Sequence, residues 1–128
     1  MNDGAPPCPC GSAKTYKDHC AVVHASGAGL GSTAESLMRA RYCGYVMGNE
    51  RFLLDSWHRD TRPAAISFDD NLTWLGLEVV SVDAGSGFDA DGTVEFIARF
   101  RRGDEHLALH EISSFVRVDG YWTYVAGS

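Results

Sequence analysis

Apolar residues in this chain change their spacing once, from roughly 3.6 residues to 2, close to residue 73. Before that point Ala34, Leu37, Met38, Arg41, Tyr42, Tyr45 and Val46 recur at helical spacing. Ser32 with Glu35 fits a capping box, Thr33 with Ser36 is an alternative start, and Gly48-Asn49 supplies the stop. A second short helix is expected over 50–58, with Phe52, Leu53 and Trp57 on one side, and one further helical turn within 64–72. After residue 73 the pattern is that of strands. The stretch 74–84 sets Leu75, Leu77 and Val79 against Trp74, Gly76, Glu78 and Val80, and strands over 93–102, 105–118 and 121–125 follow. Asp91-Gly92, Gly103-Asp104 and Asp119-Gly120 are the turn signals. Helices first and then an antiparallel meander is the α+β class. A strongly twisted sheet with helices on its concave side folds into a cone with an internal cavity.

The 128 residues fit one globular domain with a small appendage, and 45% hydrophobic residues supply a real core. With 17 acidic against 11 basic residues the formal charge is −6. An acidic chain gains little from counterion release, which points away from nucleic acid as a partner. No charged leader with an apolar run opens the sequence, and no apolar window reaches membrane-spanning length, so a cytoplasmic protein is expected.

Chemistry concentrates at the N-terminus. Cys8-Pro9-Cys10-Gly11-Ser12 is followed by His19-Cys20, with eight residues between Cys10 and His19. Three thiols and an imidazole on one short loop are a tetrahedral donor set, which zinc takes at about 2.0–2.3 Å. His24 competes with His19 for the fourth position. Soft ligands also accept iron. In a reducing cytosol such clustering means metal rather than disulfides. Four protein ligands close the shell, which argues for a structural rather than a catalytic metal. The segment has too few apolar side chains to fold unaided, so metal binding would be its folding energy. Tyr16 is the ring available to cover it, and Lys14, Lys17 and Asp18 lie on its exposed side. The expected organisation is a knuckle with a loose end over 1–24, a glycine-rich linker over 25–31 and the α+β cone over 32–128. Cys43, in the helical pattern, reads as a buried small hydrophobe.

The sequence Cys-Pro-Cys-Gly-Ser…Tyr-Lys…His-Cys resembles the SEC-C zinc knuckle, known at the tail of the SecA translocation ATPase. Further on, Leu37-Met38-Arg39-Ala40-Arg41-Tyr42, Ser56-Trp57-His58, Trp74-Leu75-Gly76-Leu77-Glu78-Val79, Gly92-Thr93-Val94-Glu95-Phe96, His110-Glu111 and Asp119-Gly120-Tyr121-Trp122-Thr123-Tyr124 resemble the bacterial YchJ family. That resemblance implies a SEC-C knuckle ahead of a domain with the cystatin-like, nuclear-transport-factor-two-like fold, and it implies no established activity. Its knuckle spacing favours His19 over His24. Two departures stand out: the knuckle ends His19-Cys20 instead of Cys-Cys or Cys-His, and Ile112 replaces an arginine usual after His-Glu. By analogy with SecA, the knuckle would meet a protein partner.

The cavity is the second candidate site. On the second strand Glu95, Ile97 and Arg99 share one face, with Val94, Phe96, Ala98 and Phe100 on the other. On the third strand His110 and Glu111 point to opposite faces, so one of them at most enters the cavity. Arg41, Tyr42, Trp57, His58 and Glu78 are candidates to converge there. Folds of the kind the resemblance implies host isomerases and dehydratases, and a His beside a carboxylate suits proton transfer near neutral pH. The competing expectation is a structural ion-pair network of Glu95, Arg99 and Glu111, with Trp57, Trp74, Trp122 and Tyr124 as core or rim. The reading preferred from sequence is a non-enzymatic binding module, with small-molecule binding or lyase/isomerase chemistry through His58, Glu78, Glu95, Arg99 or His110 as the alternative.

Overall fold

A computed structural model describes residues 33–86 and 89–127. Helix α1 runs Ala34–Met47 and helix α2 Glu50–Asp55. Four strands follow: β1 Leu72–Ala84, β2 Asp91–Arg102, β3 Glu105–Val118 and β4 Tyr121–Gly127, paired antiparallel in the order β1-β2-β3-β4. The α+β expectation of helices on a curved antiparallel sheet holds. The first 32 residues, including the knuckle and the linker, lie outside the described residues.

Thr33 caps α1, its hydroxyl accepting the Ser36 amide at 3.1 Å, which selects the second of the two expected starts. The Ala34 amide donates to the Gly85 carbonyl at 2.9 Å, which pins the helix to the β1–β2 turn. Gly48 ends α1 at φ 65°, a left-handed conformation glycine adopts freely, and Asn49 at once caps α2 through the Phe52 amide. One face of α1 (Ala34, Leu37, Met38, Ala40, Cys43) packs with Phe52 on Val94, Phe96, Ala98, Phe115 and Trp122 of the sheet. Cys43 is buried among them, as expected.

Three local features differ from the sequence reading. Helix α2 stops at Asp55 because Ser56–His58 turns to run beside β4: the Tyr124 amide donates to the Ser56 carbonyl and the His58 amide to the Tyr124 carbonyl, both at 2.8 Å. Residues 64–70 form no helical turn. Asp91 and Gly92 belong to β2 rather than to the hairpin turn, with Gly92 opposite Ala84. Asp119-Gly120 does turn, both residues at positive φ (53° and 85°), the signature of a two-residue hairpin.

Strand β1 carries the most consequential difference. Its pairing with β2 shifts between Trp74 and Gly76 and again between Val79 and Ser81. Each bulge adds a residue and reverses the alternation beyond it. Trp74, Leu77 and Val79 therefore all face the concave side, opposite Phe100, Ala98 and Phe96. Leu75 and Val80, the extra residues, are left about half exposed at 49% and 47%. This register gives a direct check. Leu37→Ala, at a fully buried position, should cost about 2–5 kcal/mol in urea denaturation, while Leu75→Ala should stay within about 0.5 kcal/mol. Equal costs would mean that β1 alternates without bulges.

Candidate ligand chamber under the sheet

Between α1 and the concave face of the sheet the described residues do not fill the core. A chamber of about 280 Å³ opens there, walled by Met38, Tyr42, Trp74, Phe96, Leu109 and Phe115. Tyr42 meets Trp74 edge-on, ring centroids 5.7 Å apart, and Trp74 leans on Phe100 at 5.6 Å. These contacts hold the indole of Trp74 as a side wall.

The polar groups of the chamber gather at one end: Arg41 and Tyr45 from α1, Glu111 and Ser113 from β3, and Tyr124 from β4. Arg41 is only 5% exposed, and a buried cation is tolerated only when its charge is met. Its Nη1 donates to the Leu53 carbonyl at 2.7 Å and to the Ser56 hydroxyl at 2.6 Å. The guanidinium carbon lies 4.8 Å from the Trp57 ring centre and 4.4 Å from that of Tyr124, and those two rings meet edge-on at 4.9 Å. A desolvated cation–π contact is worth up to about 2 kcal/mol, and a hydrogen bond from a charged group about 1.5–3 kcal/mol. Burial nonetheless pushes the guanidinium down to about 10, with Tyr45, Tyr124 and Glu111 opposing the shift. It stays charged at neutral pH.

Glu111 supplies the opposite charge. Ser113 donates to its Oε2 at 2.6 Å. A Cβ at residue 127 would overlap the Glu111 carboxylate, so only glycine on β4 lets that carboxylate lie where it does. Burial, then the Glu111 charge and a hydrogen bond to it, pushes the Tyr124 phenol up to about 12 against the nearby Arg41 charge. At neutral pH Tyr124 is therefore a firm donor, and the chamber end holds one cation and one anion.

The outer face of the sheet carries the other charged candidates. His110 Nε2 and Glu95 Oε2 lie 2.6 Å apart, and the Ser81 hydroxyl donates to Glu95 Oε1 at 3.0 Å. These two hydrogen bonds, His110 first, draw the Glu95 carboxyl below its ordinary range. Arg99 pairs with Glu78 at 3.2 Å, both more than half exposed. The His–carboxylate contact expected of a cavity thus exists, but on the convex side, away from the chamber. His58 also stays outside: its Nδ1 accepts the Asp60 amide at 3.1 Å. The expected network of Glu95, Arg99 and Glu111 does not form, because β3 alternation turns Glu111 inward, opposite Phe96.

Of the residues expected to converge, the fold brings Arg41 and Tyr42 to the chamber and leaves His58, Glu78, Glu95, Arg99 and His110 outside. Trp57 sits behind, as one of the two rings on Arg41. Trp74 and Tyr124 line the chamber, while Trp122 is fully buried core. Tyr45 and Ser113 were not singled out from the sequence. Tyr45 follows Arg41 by four residues on one helix face, and Ser113 follows Glu111 by two on one strand face; those spacings are the signal that finds them. Cys8, Cys10, His19 and Cys20 lie outside the described residues, among which no group of three or more His, Cys, Asp or Glu could hold a metal ion. No helix among the described residues is long and apolar enough to cross a membrane.

Comparison with known proteins places both parts of the chain. Residues 33–127 match the family model of the YchJ middle NTF2-like domain, and residues 7–18 match the SEC-C motif. A UPF0225 protein of Streptomyces coelicolor is 46% identical over 122 residues, 95% of this chain and 94% of that protein. A UPF0225 protein of Chromobacterium violaceum is 43% identical over 94% of this chain and 90% of its own length. Among solved structures, a SEC-C motif containing protein from Rhodopseudomonas palustris superposes with a TM-score of 0.80 at 32% identity, covering 94% of this chain and 96% of that one. A SEC-C motif containing protein from Psychrobacter arcticus shares the fold, with a TM-score of 0.75 at 24% identity over 96% of this chain and 81% of that one.

Proposed function

We propose, for a chain that belongs to the YchJ family of SEC-C proteins, a binding function in two parts: a small molecule in the chamber, and a protein partner at a zinc-held knuckle. The observation that carries the first part is the open space of about 280 Å³ with a charged pair at one end of an otherwise apolar wall. Apolar walls with a few fixed polar groups are the general form of a ligand site. A core meant only for stability would close this space, since packing defects cost free energy. Binding is favoured over catalysis by the placement of the acid–base candidates. Neither His58 nor His110 reaches the chamber, and Tyr124 holds its proton tightly. Thermal melts against a panel of small aromatic compounds should reveal binders that raise Tm and shift the Trp74 signals. Ala98→Leu, which grows a side chain into the chamber from the middle of β2, should remove the effect. An unchanged Tm shift in that variant would put the ligand elsewhere and contradict the reading.

For the knuckle, the donor set fits a structural zinc: Cys8, Cys10 and Cys20 as thiolates with His19 as the imidazole, four ligands and a closed shell. The motif match spans Cys8 and Cys10 and stops one residue short of His19, so the last two ligands rest on spacing and donor chemistry. Iron competes for the same ligands. A bound metal would supply the folding energy that this segment lacks and would fix a surface carrying Lys14, Lys17 and Asp18 for a protein partner. A reducing cytoplasm suits thiols kept free for metal. Protein purified from cells should hold one equivalent of zinc or iron, lost in Cys20→Ser, and a partner captured by the native chain should be lost when Cys8 and Cys10 become Ser. Full metal content in Cys20→Ser would contradict the ligand set, and an unaltered partner profile would contradict the role.

A further inference from the structure

The polar end of the chamber restricts which molecule can enter, and the restriction comes from charge balance. Among the described residues that line the space, Arg41 and Glu111 carry the charged side chains, one of each sign. A guanidinium has five N–H donors, of which the two on Nη1 are committed to the Leu53 carbonyl and the Ser56 hydroxyl. A further hydrogen bond goes to Tyr45, and Arg41 and Tyr45 both line the chamber. A carboxylate offers about four acceptor positions. Ser113 and Tyr124 take two from Glu111, leaving acceptor capacity towards the space.

A charged ligand fits this arrangement poorly. An anion that meets Arg41 also meets Glu111, and a cation that meets Glu111 also meets Arg41. Either would add one uncompensated charge to a space with apolar walls, where such charge is costly. A neutral ligand with a carbonyl-type acceptor next to an N–H donor satisfies both ends and adds no charge. The shape argues in the same direction. Trp74, Phe96 and Leu109 form apolar walls suited to a flat ring. At roughly 30 Å³ per molecule the space equals about nine waters, which suits a single small ring system with one polar edge.

Resting on the chamber reading above, we infer that the ligand is a neutral, planar aromatic or heteroaromatic molecule whose edge carries an adjacent hydrogen-bond acceptor and donor, a carboxamide or lactam. The acceptor edge faces Arg41 and the donor edge faces Glu111. Discrimination of this kind is strong, because a ligand lacking one of the two groups leaves a buried polar partner unpaired.

Three planar molecules of nearly one shape separate the alternatives: benzamide (neutral, acceptor and donors), benzoate (anion) and benzamidinium (cation). Each is titrated at neutral pH into the full chain at millimolar concentrations, with the Trp74 indole N–H followed by NMR. Benzamide should bind about tenfold more tightly than either ion. In the nearly isosteric Glu111→Gln the lining carries a net positive charge, and preference should pass to benzoate. A native-chain preference for benzoate or benzamidinium, or equal binding of all three, overturns the neutral class while leaving the chamber as a ligand site. No Trp74 shift with any of the three overturns both readings. A preference for benzamide that persists unchanged in Glu111→Gln overturns the role given to that carboxylate.

Discussion

Arg41 is the residue through which the helices, the connecting segment and the last strand are tied together. Its guanidinium holds the end of α2 through the Leu53 carbonyl and the Ser56 hydroxyl, and it lies against both Trp57 of the connecting segment and Tyr124 of β4. Burying a cation costs several kcal/mol unless neighbours restore what water gave. Here two oxygen acceptors, two aromatic faces and the field of Glu111 share that task. The same demand explains why α2 is short. The chain has to leave the helix at Ser56 so that Trp57 can stand beside Tyr124, and the backbone bonds of Ser56 and His58 to Tyr124 fix that departure. Lysine would not substitute well, since a point ammonium lacks the planar fork and stacking face of a guanidinium.

From that arrangement the chamber follows. Helix α1 covers the half of the concave face nearest the β1–β2 turn, where Leu37, Val94, Phe115 and Trp122 close the core. Towards the other end of the sheet the helices give way, and Leu107 and Leu109 on the inward face of β3 remain partly exposed at 38% and 40%. The space between is bounded at one end by Arg41 and Glu111 and along its sides by rings. One set of interactions thus serves both stability and recognition: the groups that satisfy Arg41 also set the charge balance a ligand meets.

Much of this architecture is legible in the sequence, and the parts that are not have physical reasons. The change of period marks the α+β order, the Asp119-Gly120 turn is where its residue types place it, and alternation along β2 sorts Phe96 and Ala98 inward from Glu95 and Arg99 outward. Alternation along β3 also narrows His110 and Glu111 to one inward residue, and pairing with Phe96 decides for Glu111. Bulges defeat the same logic on β1. A bulge is chosen by the curvature of the whole sheet, and nothing local in Trp74-Leu75-Gly76 announces it beyond a glycine. The chamber's charged pair joins residues 70 apart in sequence, Arg41 and Glu111, so only the packing of helix on sheet brings them together. The knuckle is the reverse case: its donor set is local and plain in the sequence.

Both the fold and the chamber depend on Arg41 as a buried cation held against two rings. The most direct measurement is the ¹⁵N–¹H spectrum of its side chain, assigned by comparison with Arg41→Lys. Protons held against Trp57 and Tyr124 and bonded to the Leu53 carbonyl should appear displaced from the free-arginine position, and they should exchange slowly with water. A resonance at the free-arginine position, exchanging as fast as that of an exposed side chain, would contradict the account.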